Sequence, residues 1–167
     1  MNDGAGDPST KAAGVAGLLA EHAAVMGRVA MALLGDAARV EQVLDQVARD
    51  AGASALPEGT KPIAWLLGLV RGACAAQLSK LPLRSRAPDA PPATERLGAG
   101  VAVPARAALA SLKPTEREAV VLSLVGGLEA TDVAVACNVD VATARARIAR
   151  GLEQLVQHDA SEEGGAR

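Results

Sequence analysis

Thr143, Arg145, Arg147 and Arg150 are the residues whose types and spacing point most directly to chemistry. A guanidinium group bonds a guanine edge bidentately or clamps a phosphate, and each phosphate contact adds salt-dependent affinity. Such contacts need a helix that is capped at its start, anchored along one face and entered through a tight turn. The preceding residues fit those needs. Asn138 tolerates left-handed backbone in the turn Cys137-Asn138-Val139-Asp140, and Asp140 suits the N-cap of the helix that follows. Val141, Ile148, Leu152 and Leu155 are the expected anchors, and Ala134 and Ala136 let a short preceding helix pack closely. The pattern predicts a helix-turn-helix whose second helix meets DNA.

The elements that must position this motif are helical throughout. Thr115 and Glu118 have the spacing of a capping box ahead of an apolar helix that runs to Val125, and Gly126-Gly127 ends it. This unit is expected over residues 104–158, followed by an acidic, then Gly-rich tail at 159–167. Upstream, residues 83–103 hold Pro88, Pro91, Pro92, Gly98 and Gly100 with little apolar periodicity, which predicts a flexible linker.

Residues 12–82 predict a second helical unit. Leu18, Leu19, Val25, Met26, Val29 and Leu33 recur at helical spacing as far as Gly35, which fits a stop. Asp36 suits the N-cap of a helix over 37–51 with the stripe Val40, Val43, Leu44 and Val47. A loop at 52–61 leads to Pro62, well placed in the first turn of a third helix running to about residue 81. Residues 1–11 read as a disordered tail. With no strand pattern anywhere, the expected fold class is all-α: two small helical domains joined by a flexible Pro/Gly-rich linker, the C-terminal one a helix-turn-helix.

Composition sets bounds on both structure and function. Half of the 167 residues are hydrophobic, yet there is no Phe, no Tyr and one Trp, so the core is built from Ala, Val and Leu. Small side chains bury little area each, which predicts modest stability. Net charge is −2, so DNA contact must come from local clustering rather than from the chain as a whole. A thin basic strip of Arg71, Lys80, Arg84 and Arg86 is a second expected contact with DNA backbone. Cys74 and Cys137 lie far apart in apolar helical segments and read as buried, reduced thiols. His22 and His158 have no metal-spaced partner, and no nucleophile elbow or phosphate loop is visible. The expectation is therefore no catalytic residue, no metal and no cofactor. Charged residues or Pro interrupt each apolar run, and the N-terminus lacks the order of a signal peptide, which predicts a cytoplasmic protein without a membrane span.

Taken together, Leu109, Leu112, Glu116-Arg117-Glu118, Gly127-Leu128, Val133-Ala134, Thr143-Ala144-Arg145-Ala146-Arg147 and Arg150 resemble region four of the extracytoplasmic-function (ECF) sigma factors, of the sigma-70 type. The resemblance spans residues 109–155. It implies binding of the upstream promoter element of DNA and contact with the flap of the RNA polymerase beta subunit. The N-terminal unit resembles region two of the same family more weakly. Leu33-Leu34-Gly35-Asp36-Ala37 looks like the lead into the polymerase-docking helix, and Trp65-Leu66-Leu67 with Val70-Arg71 looks like the helix before the downstream-element reader. This implies that Glu41, Asp45 and Gln46 dock on core RNA polymerase, and it brings an anti-sigma factor in as an expected partner.

Several positions depart from the family pattern. Where the docking helix carries an acidic pair and a glutamine-glutamate pair, this chain has Glu41-Gln42 and Asp45-Gln46. The aromatic residues that close that helix are Ala48 and Gly52, and the asparagine after Arg71 is Gly72. The aspartate and arginine run that follows is replaced by Ala76, Gln77, Ser79 and Lys80. Aromatic stacking supplies about 1–3 kcal/mol per unstacked base, so its loss predicts reduced promoter melting. The leading expectation is a divergent ECF sigma-like transcription regulator. The alternative is a sigma-fold interaction protein, either an anti-sigma-binding mimic or a self-associating scaffold, since alanine-rich helix faces also suit self-association.

Overall fold

The computed structural model describes residues 8–80 and 99–164. Among them are seven helices and no strand: α1 (Pro8–Leu34), α2 (Ala37–Ala53), α3 (Pro62–Ser79), α4 (Ala99–Ser111), α5 (Pro114–Leu124), α6 (Ala130–Cys137) and α7 (Val141–Gly164). The all-α class and the two helical units agree with the sequence.

In the N-terminal unit α1, α2 and α3 pack mutually. Gly35, at φ 70°, donates its N–H to the Met31 carbonyl at 2.8 Å and ends α1. Asp36 then caps α2 by accepting from the Arg39 N–H at 3.0 Å. Val40, Val43, Val47 and Ala51 turn one stripe of α2 inward. Pro62 opens α3, which carries the central core residues Trp65, Leu66, Leu67, Val70 and Cys74. By length and composition, α1 from Gly14 to Leu34 is apolar enough to cross a membrane (mean hydropathy 1.4), contrary to expectation. Glu21 and Arg28 are the two charged residues in that stretch, and both are exposed. Its Met26, Val29, Ala30, Leu33 and Leu34 are buried in the protein core.

The C-terminal unit departs from the sequence reading in four places. First, α4 begins at Ala99, inside the stretch 83–103 expected as linker. Gly100 reads as linker and the sequence puts the start of the unit at 104, but Pro104 removes only one helical hydrogen bond near the start of an alanine-rich segment of high helix propensity. Second, α7 continues to Gly164, because nothing between 159 and 163 stops a helix. Third, the capping box of Thr115 and Glu118 does not form. Pro114 occupies the first turn behind Lys113, which caps α5 without a side-chain bond, so Thr115 falls too late to cap. Fourth, Leu152 is 36 % exposed. The expected anchors Val141 and Ile148 do pack against the core, and small residues join them: Ala144 is fully buried, and Gly151 lies against Val120 of α5.

Arg117 closes α4. Its Nε donates to the Leu109 carbonyl at 2.8 Å, and Nη2 donates to the Ala110 and Leu112 carbonyls, each at 3.1 Å. These are orphan carbonyls of a helix end, which a guanidinium fork satisfies well. The neighbouring Glu116 is buried, and its Oε2 has no hydrogen-bond partner. The two units are in contact through α3 with α6 and α1 with α5, and the buried residues form one cluster from Val29 and Leu66 to Leu122 and Val133.

Candidate nucleic-acid interface

The turn between α6 and α7 has the geometry its residues dictate. Asn138 ends α6 at φ 53°, ψ 53°, the one non-glycine residue at positive φ among those described. Val139 donates its N–H to the Ala134 carbonyl at 3.0 Å, which closes the turn. Asp140 accepts from the Thr143 N–H at 2.8 Å through Oδ1 and from the Thr143 hydroxyl at 2.6 Å through Oδ2. The hydroxyl and then the amide of Thr143 hold the Asp140 carboxyl below its ordinary value. Thr143 therefore spends its hydroxyl proton on the cap, which leaves its oxygen able only to accept.

The four residues of the expected DNA face do not share one stripe. Thr143, Arg147 and Arg150 follow helical spacing along one flank of α7. Arg145 lies about 160° around the axis from Arg147, at about 100° per residue. Ala142, Ala146 and Ala149 fill the surface between these flanks. Arg145 and Arg150 are exposed, whereas Thr143 and Arg147 are half-buried. Arg147 lies near the end of α6, where its charge opposes the upward push that burial gives the Cys137 thiol. Cys74 is also buried, and desolvation pushes its thiol up to about 12. Both cysteines are free, as expected.

On α2, Glu41 and Asp45 are exposed. Gln46 is held within its own helix: Nε2 donates to Asp50 Oδ1 at 2.7 Å, and Oε1 accepts from Arg49 Nη2 at 2.9 Å. A groove of ≈ 340 Å³ runs between α2 and α3, lined by polar residues including Gln42, Asp45, Gln46, Arg49, Gln77 and Lys80.

The expected basic strip is dispersed. Lys80 is exposed at the end of α3, and Arg84 and Arg86 lie outside the described residues. Arg71 points inward, with Nε donating to the Ala136 carbonyl at 3.0 Å and Nη1 to Glu118 Oε2 at 3.2 Å. Its guanidinium is thus engaged by the C-terminal unit. The one sequence signal for this was Gly68, an interior glycine of an otherwise strong helix, which meets the Ala136 backbone. Interior helix glycines commonly mark close packing. Among the described residues no group of three or more His, Cys, Asp or Glu is placed to hold a metal ion.

The αL turn and the capped second helix define a helix-turn-helix. Residues 103–155 match the family Sigma-70, region 4. The expected resemblance to ECF sigma factors is borne out by that match and by the fold of the whole chain. The fold is similar to that of the sigma factor RpoE from Bartonella quintana, solved in complex with the anti-sigma factor NepR, at 21% identity and a TM-score of 0.63, covering 83% of this chain and 93% of that one. It is likewise similar to CnrH, solved in complex with the cytosolic domain of CnrY, at 17% identity and a TM-score of 0.64, covering 92% of this chain and 95% of that one. No curated protein matches the sequence.

Proposed function

We propose that this protein is a cytoplasmic, non-enzymatic, divergent ECF sigma-like transcription regulator that binds promoter DNA through α7 and docks on core RNA polymerase. The observation that carries the reading is the presentation of α7. Its start is capped by Asp140, one face is buried at Ala144 and at Gly151, which packs on α5, and the opposite face offers alanines, with Glu153 beyond them, between two arginine flanks. Small side chains let such a helix sit deep in a major groove, where alanine meets a thymine methyl group and arginines reach bases or phosphates on either side. Arg145 and Arg150 are the readiest contacts, with Arg147 and Thr143 nearer the body.

Docking on polymerase rests on Glu41 and Asp45, which α2 presents beside the polar groove, with Gln46 oriented by Asp50 and Arg49. The related folds were solved with anti-sigma proteins, which supports an anti-sigma factor as a partner of this chain as well. The protein is incubated with core polymerase and a randomised DNA pool. Recovery of polymerase with an enriched sequence supports the reading, and the double change Arg145→Ala, Arg147→Ala then abolishes enrichment while helicity by circular dichroism is kept. Unchanged enrichment in that variant rejects the assignment of these residues.

A second reading, a sigma-fold interaction protein that no longer melts promoters, is favoured by two observations. Arg71 is turned into the C-terminal unit rather than toward solvent, and the loop between α2 and α3 offers no aromatic side chain. Recovery of neither polymerase nor DNA by folded protein selects this reading.

A further inference from the structure

Gln42, far from the α2–α3 loop on one helix, accepts at Oε1 from Gln77 Nε2, far from it on the other, at 3.3 Å. The two helices therefore run antiparallel, and the groove of ≈ 340 Å³ lies between them on a floor of buried Val43 and Ala73. Its walls carry charges of both signs that do not meet. Asp45 and Arg49 have the (i, i+4) spacing at which opposite charges ordinarily pair. Arg49 instead donates from Nη2 to Gln46 Oε1 at 2.9 Å, and Gln46 donates onward to Asp50 Oδ1 at 2.7 Å. Among the described residues, the Asp45 carboxylate and the Lys80 ammonium have no hydrogen-bond or ion-pair partner.

The packing fixes the order of these charges. Lys80 lies one turn beyond the Gln42–Gln77 pair, away from the loop, while Asp45 and Arg49 lie one and two turns from it toward the loop. The groove thus alternates positive, negative, positive along its length. An occupant of inverse order, negative, positive, negative, meets all three charges without drawing them together. Asp45 at the centre disfavours a polyphosphate, and the flanking cations disfavour a polyamine. The carboxamides of Gln42 and Gln77 add donors and acceptors beside the central charge. The flexible stems of Lys80 and Arg49 close on a ligand shorter than the groove.

We propose that this groove binds a small zwitterion of the amino-acid type, with a dicarboxylic amino acid its best complement. The two carboxylates face Lys80 and Arg49, and the ammonium faces Asp45. Binding stands whether or not α2 docks on polymerase. Asp45 and Gln46 also belong to the docking surface proposed above, so an occupied groove and a docked polymerase exclude each other; that consequence alone rests on the docking reading.

The test is a titration of the isotope-labelled full chain with sodium glutamate, followed through its backbone amide resonances, beside sodium chloride of equal ionic strength. Glutamate gives saturable shifts confined to residues 42–49 and 73–80, and chloride does not. Glutarate, which lacks the ammonium, binds about fivefold more weakly, the size of one exposed ion pair. In Asp45→Asn that difference between glutamate and glutarate disappears. Lys80→Gln weakens both ligands alike. Ala76→Leu changes no charge, keeps a strong helix former, fills the groove and abolishes binding. Shifts that chloride reproduces, or that never saturate, overturn the site; so does an unchanged preference for glutamate in folded Asp45→Asn.

Discussion

Gly151 of α7 and Val120 of α5 approach so closely that a Cβ on the glycine would fall 2.5 Å from Val120 Cγ2. Valine has one stiff rotor and cannot swing aside, and the Glu116 carbonyl oxygen lies 3.4 Å from the same point. Ordinarily Gly→Ala in a helix gains about 1 kcal/mol. Here overpacking outweighs that gain, so Gly151→Ala lowers stability by about 1–2 kcal/mol net. Urea unfolding measures it, and a stabilised variant would show that α7 moves off α5 at no cost.

Arg117 holds three carbonyls at the end of α4. Burial lowers its pKa from the usual value, with Glu118 opposing that trend. Arg117→Ala takes this donor from the Ala110 and Leu112 carbonyls, while Leu109 keeps the Leu112 N–H, and costs about 2–4 kcal/mol. Arg117→Lys recovers little of this, because a point charge cannot reach three acceptors in a planar fork. The measurement is the urea midpoint of all three proteins; equal midpoints for Lys and Arg would remove the geometric argument.

Asp140 links stability to acidity. Its carboxyl titrates below the ordinary value in the folded chain. Its contribution is therefore complete above the unfolded carboxylate range and is lost as pH falls through the depressed folded value. Asp140→Asn retains a cap but has no proton to gain. The stability gap between the two proteins should stay constant at neutral pH and shrink as pH drops below about 4. Parallel pH profiles would mean that the Thr143 bonds do not favour the ionised form.

Arg145 and Arg150 make a sharper pair of probes for DNA than either alone, because they stand on opposite flanks of α7. Loss of a phosphate contact weakens binding to all sequences alike and reduces the salt slope by about one. A base contact costs about 1–3 kcal/mol and relaxes preference at one position. Titrations of Arg145→Ala and Arg150→Ala at several salt concentrations assign each residue to one class. Wild-type slopes and affinities in both variants would remove α7 from the interface.

Local signals carried most of the fold. Gly35, Asp36, Pro62, Asn138 and Asp140 each act within three or four residues of themselves, and each stands where its backbone chemistry places it. The misreadings share a different origin. Leu152 looked like an anchor because it is large and apolar, yet it is exposed, and the inward side of α7 carries Ala144 and Gly151 together with Val141 and Ile148. Glu118 looked like part of a cap, but α5 starts earlier, at Pro114, and the Glu118 carboxylate accepts from Arg71, 47 positions earlier. Such long-range competition has no local pattern. The spacing that put four residues on α7 was legible, but their division between two flanks required the helix to be oriented by its buried side.

Trp65 is the chain's sole tryptophan, with neither tyrosine nor phenylalanine beside it, and it is 9 % exposed in the core of the N-terminal unit. Its ultraviolet emission is consequently a voice from α3 alone, while far-ultraviolet dichroism hears every helix at once. If the molecule melts as one cooperative body, the two optical curves superimpose; if region 4 lets go separately, dichroism moves while emission stands still. The near-absence of aromatic residues thus gives this protein a built-in, mutation-free way to tell one half of itself from the other.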